Sequence, residues 1–170
     1  MTSPKVMLSP LRVEDATEMA ALLSAAQIYE HIDDKPPTSA DALRERYGNL
    51  VKQVSPDGRE IWLNWIVRTG APGAAIGYVQ ATIRKETNIA LVAYVLSPNH
   101  WGKGLACEAV TQMIDKLSDG YGVKIFHATV DKLNQRSISL LKRLGFHQNN
   151  DAAHEGDETE CLFEFQKEAR

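Results

Sequence analysis

Cysteine is scarce: Cys107 and Cys161 are the only two in 170 residues, and they form no C-x-x-C pair. That spacing argues against a disulfide framework or a thiolate zinc site. A basic surplus is also missing. Lys and Arg number 19 against 22 Asp and Glu, giving a net charge of -3 and a pI near 5.9. General nucleic-acid binding, which relies on clustered cations, is therefore not expected. No window approaches 18 apolar residues, and the opening MTSPKVMLSPLR lacks the apolar run of a signal peptide. No internal repeat or low-complexity tract occurs. These absences lead to the expectation of a cytoplasmic protein with no membrane partner and no metal.

What is present suits one ordinary globular unit. Apolar residues make up 44% and charged residues 24%, a balance that supports a sizeable core. One domain over residues 5–166 is expected. Residues 5–12 read as a strand, and residues 14–24 carry Ala16, Met19, Ala20, Leu22 and Leu23 at helical spacing. Residues 33–37 form a loop, and Thr38 or Ser39 is placed to cap a second helix running to about Gln53. Its apolar stripe is Leu43, Tyr47, Leu50, Val51 and Val54.

The period then changes. Residues 59–69, 74–84 and 88–97 read as three strands with short links, the GAPG stretch closing the first. A helix follows from Gly104, with Leu105, Ala109, Met113 and Leu117 on one face and Gly120 and Gly122 at its end. Residues 123–130 form a strand, residues 135–144 a helix ended by Gly145, and residues 146–165 two short strands around a polar loop. The fold class is α/β (mixed α+β), with about seven strands and about four helices.

The stretch LSPNHWGKGLACEA sits where a strand enters a helix through two glycines. Unpaired N–H groups at a helix start attract anions, which makes this a candidate phosphate cradle. A P-loop requires G-x-x-x-x-G-K-[ST], but Lys103 is followed by Gly104, so the magnesium-binding hydroxyl is missing. The dinucleotide fingerprint G-x-G-x-x-G fails at Cys107.

Asn99, His100, Trp101, Gly102, Lys103 and Gly104 instead resemble the Q/R-x-x-G-x-G/A loop of the GNAT N-acetyltransferases. The wider string YVLSPNHWGKGLACEAV is most similar to the branch containing ribosomal-protein N-terminal acetyltransferases. A second motif, NQRSISLLKRLGF, matches N-x-x-S/A-x-x-L-x-x-x-x-GF about 30 residues downstream. This sequence departs from the pattern at Asn99, at Ala93 (a glycine in that branch) and at Leu141 (a proton-donating tyrosine in many relatives).

The resemblance implies a fold, a donor and a set of roles. The fold would be GNAT-like, with the fourth strand splaying from the fifth, often at a bulge. The donor would be acetyl-CoA, attacked directly by an amine in a ternary complex. Tyr94, Val95 and Leu96 would offer a backbone edge to pantetheine, with an N–H near Val95 stabilising the oxyanion. Trp101, Gly102, Lys103, Gly104, Leu105, Ala106 and Cys107 would wrap the pyrophosphate, and Asn134 would bond to the pantetheine arm. Ser137 is the candidate acid, since Leu141 cannot donate.

Glu60, His127, His31 and Glu86 are candidate bases. His31 and Asp33 fall in the loop that lines the acceptor pocket of relatives. Trp62 and Trp65 lie on opposite strand faces, one for the core and one for an acceptor pocket. Cys107 reads as a small packed residue, since the chemistry needs no covalent step. His147 and His154 lack zinc-like spacing, and the acidic tail from Asp151 to Glu168 reads as a solvated hairpin. The acceptor would be a small-molecule amine or a protein or peptide N-terminus. A lysine-like amine is neutral in only about one molecule in a thousand near pH 7, an α-amine in roughly one in ten. A second reading is a non-catalytic acyl-CoA-binding module or sensor.

Overall fold

The computed structural model describes residues 5–70, 73–151 and 158–168. His154, Glu155 and Asp157 of the tail, and the centre of the GAPG stretch, lie outside them. Seven strands form one sheet: β1 (Val6–Pro10), β2 (Glu60–Thr69), β3 (Ala75–Arg84), β4 (Ile89–Leu96), β5 (Ile125–Asp131), β6 (His147–Gln148) and β7 (Glu160–Gln166). Their order across the sheet is β1-β2-β3-β4-β5-β7-β6. Every neighbouring pair is antiparallel except β4 and β5. The three middle strands of the sequence reading are therefore the expected meander.

Helices α1 (Ala16–Leu22) and α2 (Ala40–Leu50) cover one face, where Met19, Leu43 and Tyr47 pack with Ile66 and Val95. Helices α3 (Leu105–Tyr121) and α4 (Gln135–Arg143) cover the other. There the predicted stripe of Leu105, Ala109, Met113 and Leu117 is buried against Val92, Leu96 and Phe126. Burying a side chain the size of Met113 or Leu117 stabilises by roughly 1.5–3 kcal/mol, so this face anchors the helix whose first turn forms the candidate loop. Glu108 reinforces that placement by accepting from the Val6 amide at 3.2 Å.

Several boundaries differ from the sequence reading. The first helix is shorter, because residues Val13–Asp15 form a 3-10 turn before Ala16. Ser39, not Thr38, caps α2, its hydroxyl accepting from the Ala42 amide. That helix stops at Leu50, and Gln53 takes a left-handed conformation at φ 60°. Val51 and Val54 consequently fall outside the helical stripe and are exposed. Only Gly122 ends α3, whereas Gly120 lies within it. Two 3-10 turns, Ala26–Tyr29 and Pro98–His100, were not anticipated.

Candidate active site

Parallel pairing between β4 and β5 extends over only three residue pairs, from Ile89↔Ile125 to Leu91↔His127. Beyond Leu91 the strands part, which leaves the β5-facing edge of residues 92–96 without a strand partner among the described residues. The register of β4 against β3 runs unbroken from Ile89 to Leu96. The expected splay is thus present, but no bulge in β4 produces it.

A cavity of about 270 Å³ opens at this gap. Tyr94, Val95, Leu96, Trp101, Gly102 and Gly104 line it, as do Leu105, Ala106 and Cys107 at the start of α3. Asn134 and Ser137 complete the predicted set, so the fold gathers two distant motifs around one space. Lys103 is the exception: its ammonium donates to the Asn99 carbonyl at 2.8 Å, and it does not line the cavity.

The loop adopts its shape for conformational reasons. Gly102 and Gly104 have φ of 71° and 76°, a region that costs residues bearing a Cβ roughly 1–2 kcal/mol. A Cβ at either position would meet nothing within 4 Å, so the space beside them is open. Glycine serves the turn here, and the open space lets a ligand approach the backbone. The Trp101 indole donates to the Leu96 carbonyl at 2.8 Å, tying the loop back to β4. The Arg136 guanidinium stacks 3.4 Å above that indole. Arg136 and Arg143 place two cations on the cavity wall.

Helix α4 begins where Asn134 Oδ1 accepts from the Ser137 amide at 3.1 Å. This is a side-chain N-cap, and it leaves the NH2 group of this cavity-lining residue outside the cap bond. Ser137 Oγ lies 2.5 Å from the Tyr94 hydroxyl. Burial pushes the Tyr94 phenol up to about 12, an effect the Ser137 hydrogen bond partly opposes. The tyrosine therefore stays protonated at neutral pH, and when it donates to Ser137 Oγ the serine proton is free to point elsewhere. Leu141 is fully buried in the core.

The four base candidates are sorted by position. His127 bonds to Glu164 across β5 and β7 at 2.8 Å, and Glu60 accepts from the Trp62 indole at 2.9 Å. Glu86 sits exposed between β3 and β4. Of the four, only His31 lines the cavity, with its Nδ1 3.5 Å from the Asp131 carboxylate at the end of β5. Asp33 is exposed and lines neither cavity described here. Trp65 is buried in the core and also lines a second cavity, on the α1–α2 face, whereas Trp62 lines neither space.

Gln27 and Ile28 also line the site from outside both motifs, while His100, Arg136, Leu140 and Arg143 line it from positions within the motifs to which the sequence reading gives no role. Leu140 lies one helical turn from Ser137, and the two arginines flank that face of α4. Cys107 is half-buried with a free thiol, and Cys161 is buried, its thiol pushed up by desolvation.

A splayed parallel strand pair, a glycine loop at a helix start and flanking arginines fit a long ligand with a pyrophosphate. The fold that carries them is GNAT-like. Residues 5–147 match the model of the acetyltransferase (GNAT) domain. The chain belongs to this family, and it is an N-acetyltransferase. An uncharacterized N-acetyltransferase, p20, from Bacillus licheniformis is 28% identical over 145 residues, covering 85% of this chain and 80% of its own.

Among solved structures, the ribosomal-protein-S5-alanine acetyltransferase of Vibrio fischeri superposes with a TM-score of 0.79 at 17% identity, covering 98% of this chain and 96% of its own. The spermidine N-acetyltransferase of Vibrio cholerae, in complex with CoA and spermine, has a TM-score of 0.75 at 18% identity, covering 95% and 94%. No helix among the described residues is long and apolar enough to cross a membrane.

Proposed function

We propose that the protein transfers the acetyl group of acetyl-CoA to a primary amine by direct attack within a ternary complex. The observation that carries this reading is the Tyr94–Ser137 hydrogen bond on the wall of the cavity, between the open edge of β4 and the glycine loop. Acetyl-CoA supplies the activated acyl group. The open edge of residues 92–96 orients the pantetheine arm, assisted by the Asn134 amide. Amides of the first α3 turn, together with Arg136 and Arg143, neutralise the phosphates. A backbone N–H near Val95 faces the charge that develops on the carbonyl oxygen.

Ser137 donates its proton to the departing thiolate and takes one from Tyr94, which regains a proton from solvent as the products leave. His31, oriented by Asp131, takes the proton that the amine must lose. A primary amine is largely protonated at neutral pH, so this base raises the reactive fraction at the site. No residue of the cavity needs to carry the acetyl group. The acceptor is a small-molecule amine or a peptide N-terminus, in a cytoplasmic setting.

The test is thiol release from acetyl-CoA across a panel of amines. Turnover is expected with at least one of them, and Ser137→Ala is expected to lower kcat about 100-fold or more while coenzyme A affinity is retained. An unchanged kcat in Ser137→Ala contradicts the role assigned to the serine.

A further inference from the structure

A second cavity, of about 260 Å³, lies on the α1–α2 face of the sheet. Tyr78 lines it and pairs across β3–β4 with Val95, which lines the first cavity. Consecutive residues of one 3-10 turn divide in the same way, Ile28 facing the first cavity and Tyr29 the second. The two spaces therefore share a thin partition beside the open edge of β4.

The floor of the second cavity is polar but uncharged. Asn64 and Gln80 stand opposite each other in the β2–β3 register, two residues along from Ile66 and Tyr78. Tyr47 adds a third polar side chain from α2 and is only 5% exposed. Among the described residues, no hydrogen bond engages the hydroxyls of Tyr47 and Tyr78 or the side-chain amides of Asn64 and Gln80. Tyr47 is buried, and Tyr78, Asn64 and Gln80 are partly buried. Polar groups withdrawn from water are ordinarily satisfied, so four unpaired side chains around a single cavity point to a ligand that pairs with them. Desolvation holds both phenols protonated, Tyr78 at about 12 and Tyr47 above the usual range. They are donors at any physiological pH. Leu23, Leu43 and Ile66 supply apolar walls.

The charges at the rim narrow the choice. The lining carries one carboxylate, Asp34, and two cations, Lys35 and Arg46. Asp34 is already engaged, accepting from the Lys35 amide at 2.8 Å and lying 3.6 Å from the Arg46 guanidinium. A polycation would bring further ammonium groups into a space with no spare carboxylate, and uncompensated charges are costly to desolvate.

We infer that this cavity holds the body of the acceptor, and that the acceptor is a primary monoamine with an uncharged, largely apolar body bearing a neutral hydrogen-bonding group. This rests on the acetyl-transfer reading and adds a selection against polyamines. A free amine and an N-terminal residue with such a side chain present the same chemistry.

Tyramine, the peptide amide Tyr-Gly-Gly and spermidine separate these cases in initial-rate assays of thiol release from acetyl-CoA. Tyramine or the peptide is expected to exceed spermidine at least tenfold in kcat/KM, and whichever is better identifies the source of the amine. Gln80→Leu and Tyr47→Phe are each expected to raise KM for that acceptor several-fold, with coenzyme A affinity by calorimetry unchanged. Spermidine as the equal or better substrate, or an unmoved KM in both variants, overturns the inference and leaves acetyl transfer standing. Failure of every amine, with coenzyme A still bound, overturns the transfer reading and the inference with it.

Discussion

Tyr94 and Ser137 come from different elements, and their 2.5 Å contact joins the strand that orients the donor to the helix that would protonate its leaving group. If Ser137 passes a proton that Tyr94 replaces, Tyr94→Phe lowers kcat about tenfold and Ser137→Ala lowers it further. The two losses are then less than additive in the double variant, because both interrupt one path. Additive losses in steady-state kcat would mean the residues act separately. His31 gives a second expectation at this scale. His31→Ala is expected to lose about 100-fold in kcat, with part restored by added imidazole. Absence of any loss would remove the base from the pair with Asp131.

Ser137 and Asn134 were legible in the sequence because their motif sits on one continuous helix start. Arg136 and Arg143 were not, since a lone arginine on a helix reads as solvated until a cavity is known beside it. His31 appeared only as one of several bases. Its selection depended on β5 bringing Asp131 within 3.5 Å, a contact across a hundred residues of chain.

At the scale of elements, the loop and α4 both depend on how they start. Gly104→Ala forces a Cβ into a φ of 76° and is expected to lower the free energy of denaturant unfolding by the ~1–2 kcal/mol of left-handed strain. Unchanged stability would show that the loop tolerates another shape. The strand order from β2 to β4 followed from apolar runs and short polar links. The parting of β4 from β5 did not, because it arises from how few pairs the parallel register makes and not from any residue at the point of departure.

Asn64 and Gln80 illustrate a signal visible but not used in the sequence. Each is the one side-chain amide of its strand, and only the β2–β3 register sets them side by side. The early 3-10 turn at Val13–Asp15 escaped the helical pattern because its apolar spacing merges with that of α1.

At the scale of the molecule, buried charge and pH govern stability. Asp15 is 4% exposed and bonds to Arg68 at 2.8 Å, while Arg68 also reaches Glu18 at 3.0 Å. Arg68→Met leaves buried Asp15 with only the Arg12 amide at 2.8 Å and the exposed Arg12 guanidinium at 3.9 Å, and is expected to cost about 3 kcal/mol in denaturant unfolding. A cost below about 1 kcal/mol would mean that the pair is solvated.

Glu18 and Glu164 both titrate below their ordinary 4.5, Glu18 chiefly through the Ala75 amide and Glu164 chiefly through the His127 hydrogen bond. A lowered folded-state pKa stabilises above the unfolded value and is lost as pH falls through the folded one. Thermal midpoints should therefore fall below about pH 4.5, and Glu164→Gln should shrink that decline. An identical acid limb in the variant would contradict the assignment.

Direct transfer requires two substrates bound at the same time, with the amine and the thioester meeting where the two cavities adjoin. Initial velocities measured while acetyl-CoA and an accepted amine are both varied test it most directly. Intersecting double-reciprocal lines are predicted, because the amine must meet the bound thioester. Parallel lines, the pattern of an acetylated enzyme releasing coenzyme A before the amine binds, would contradict it and would turn attention to Cys107.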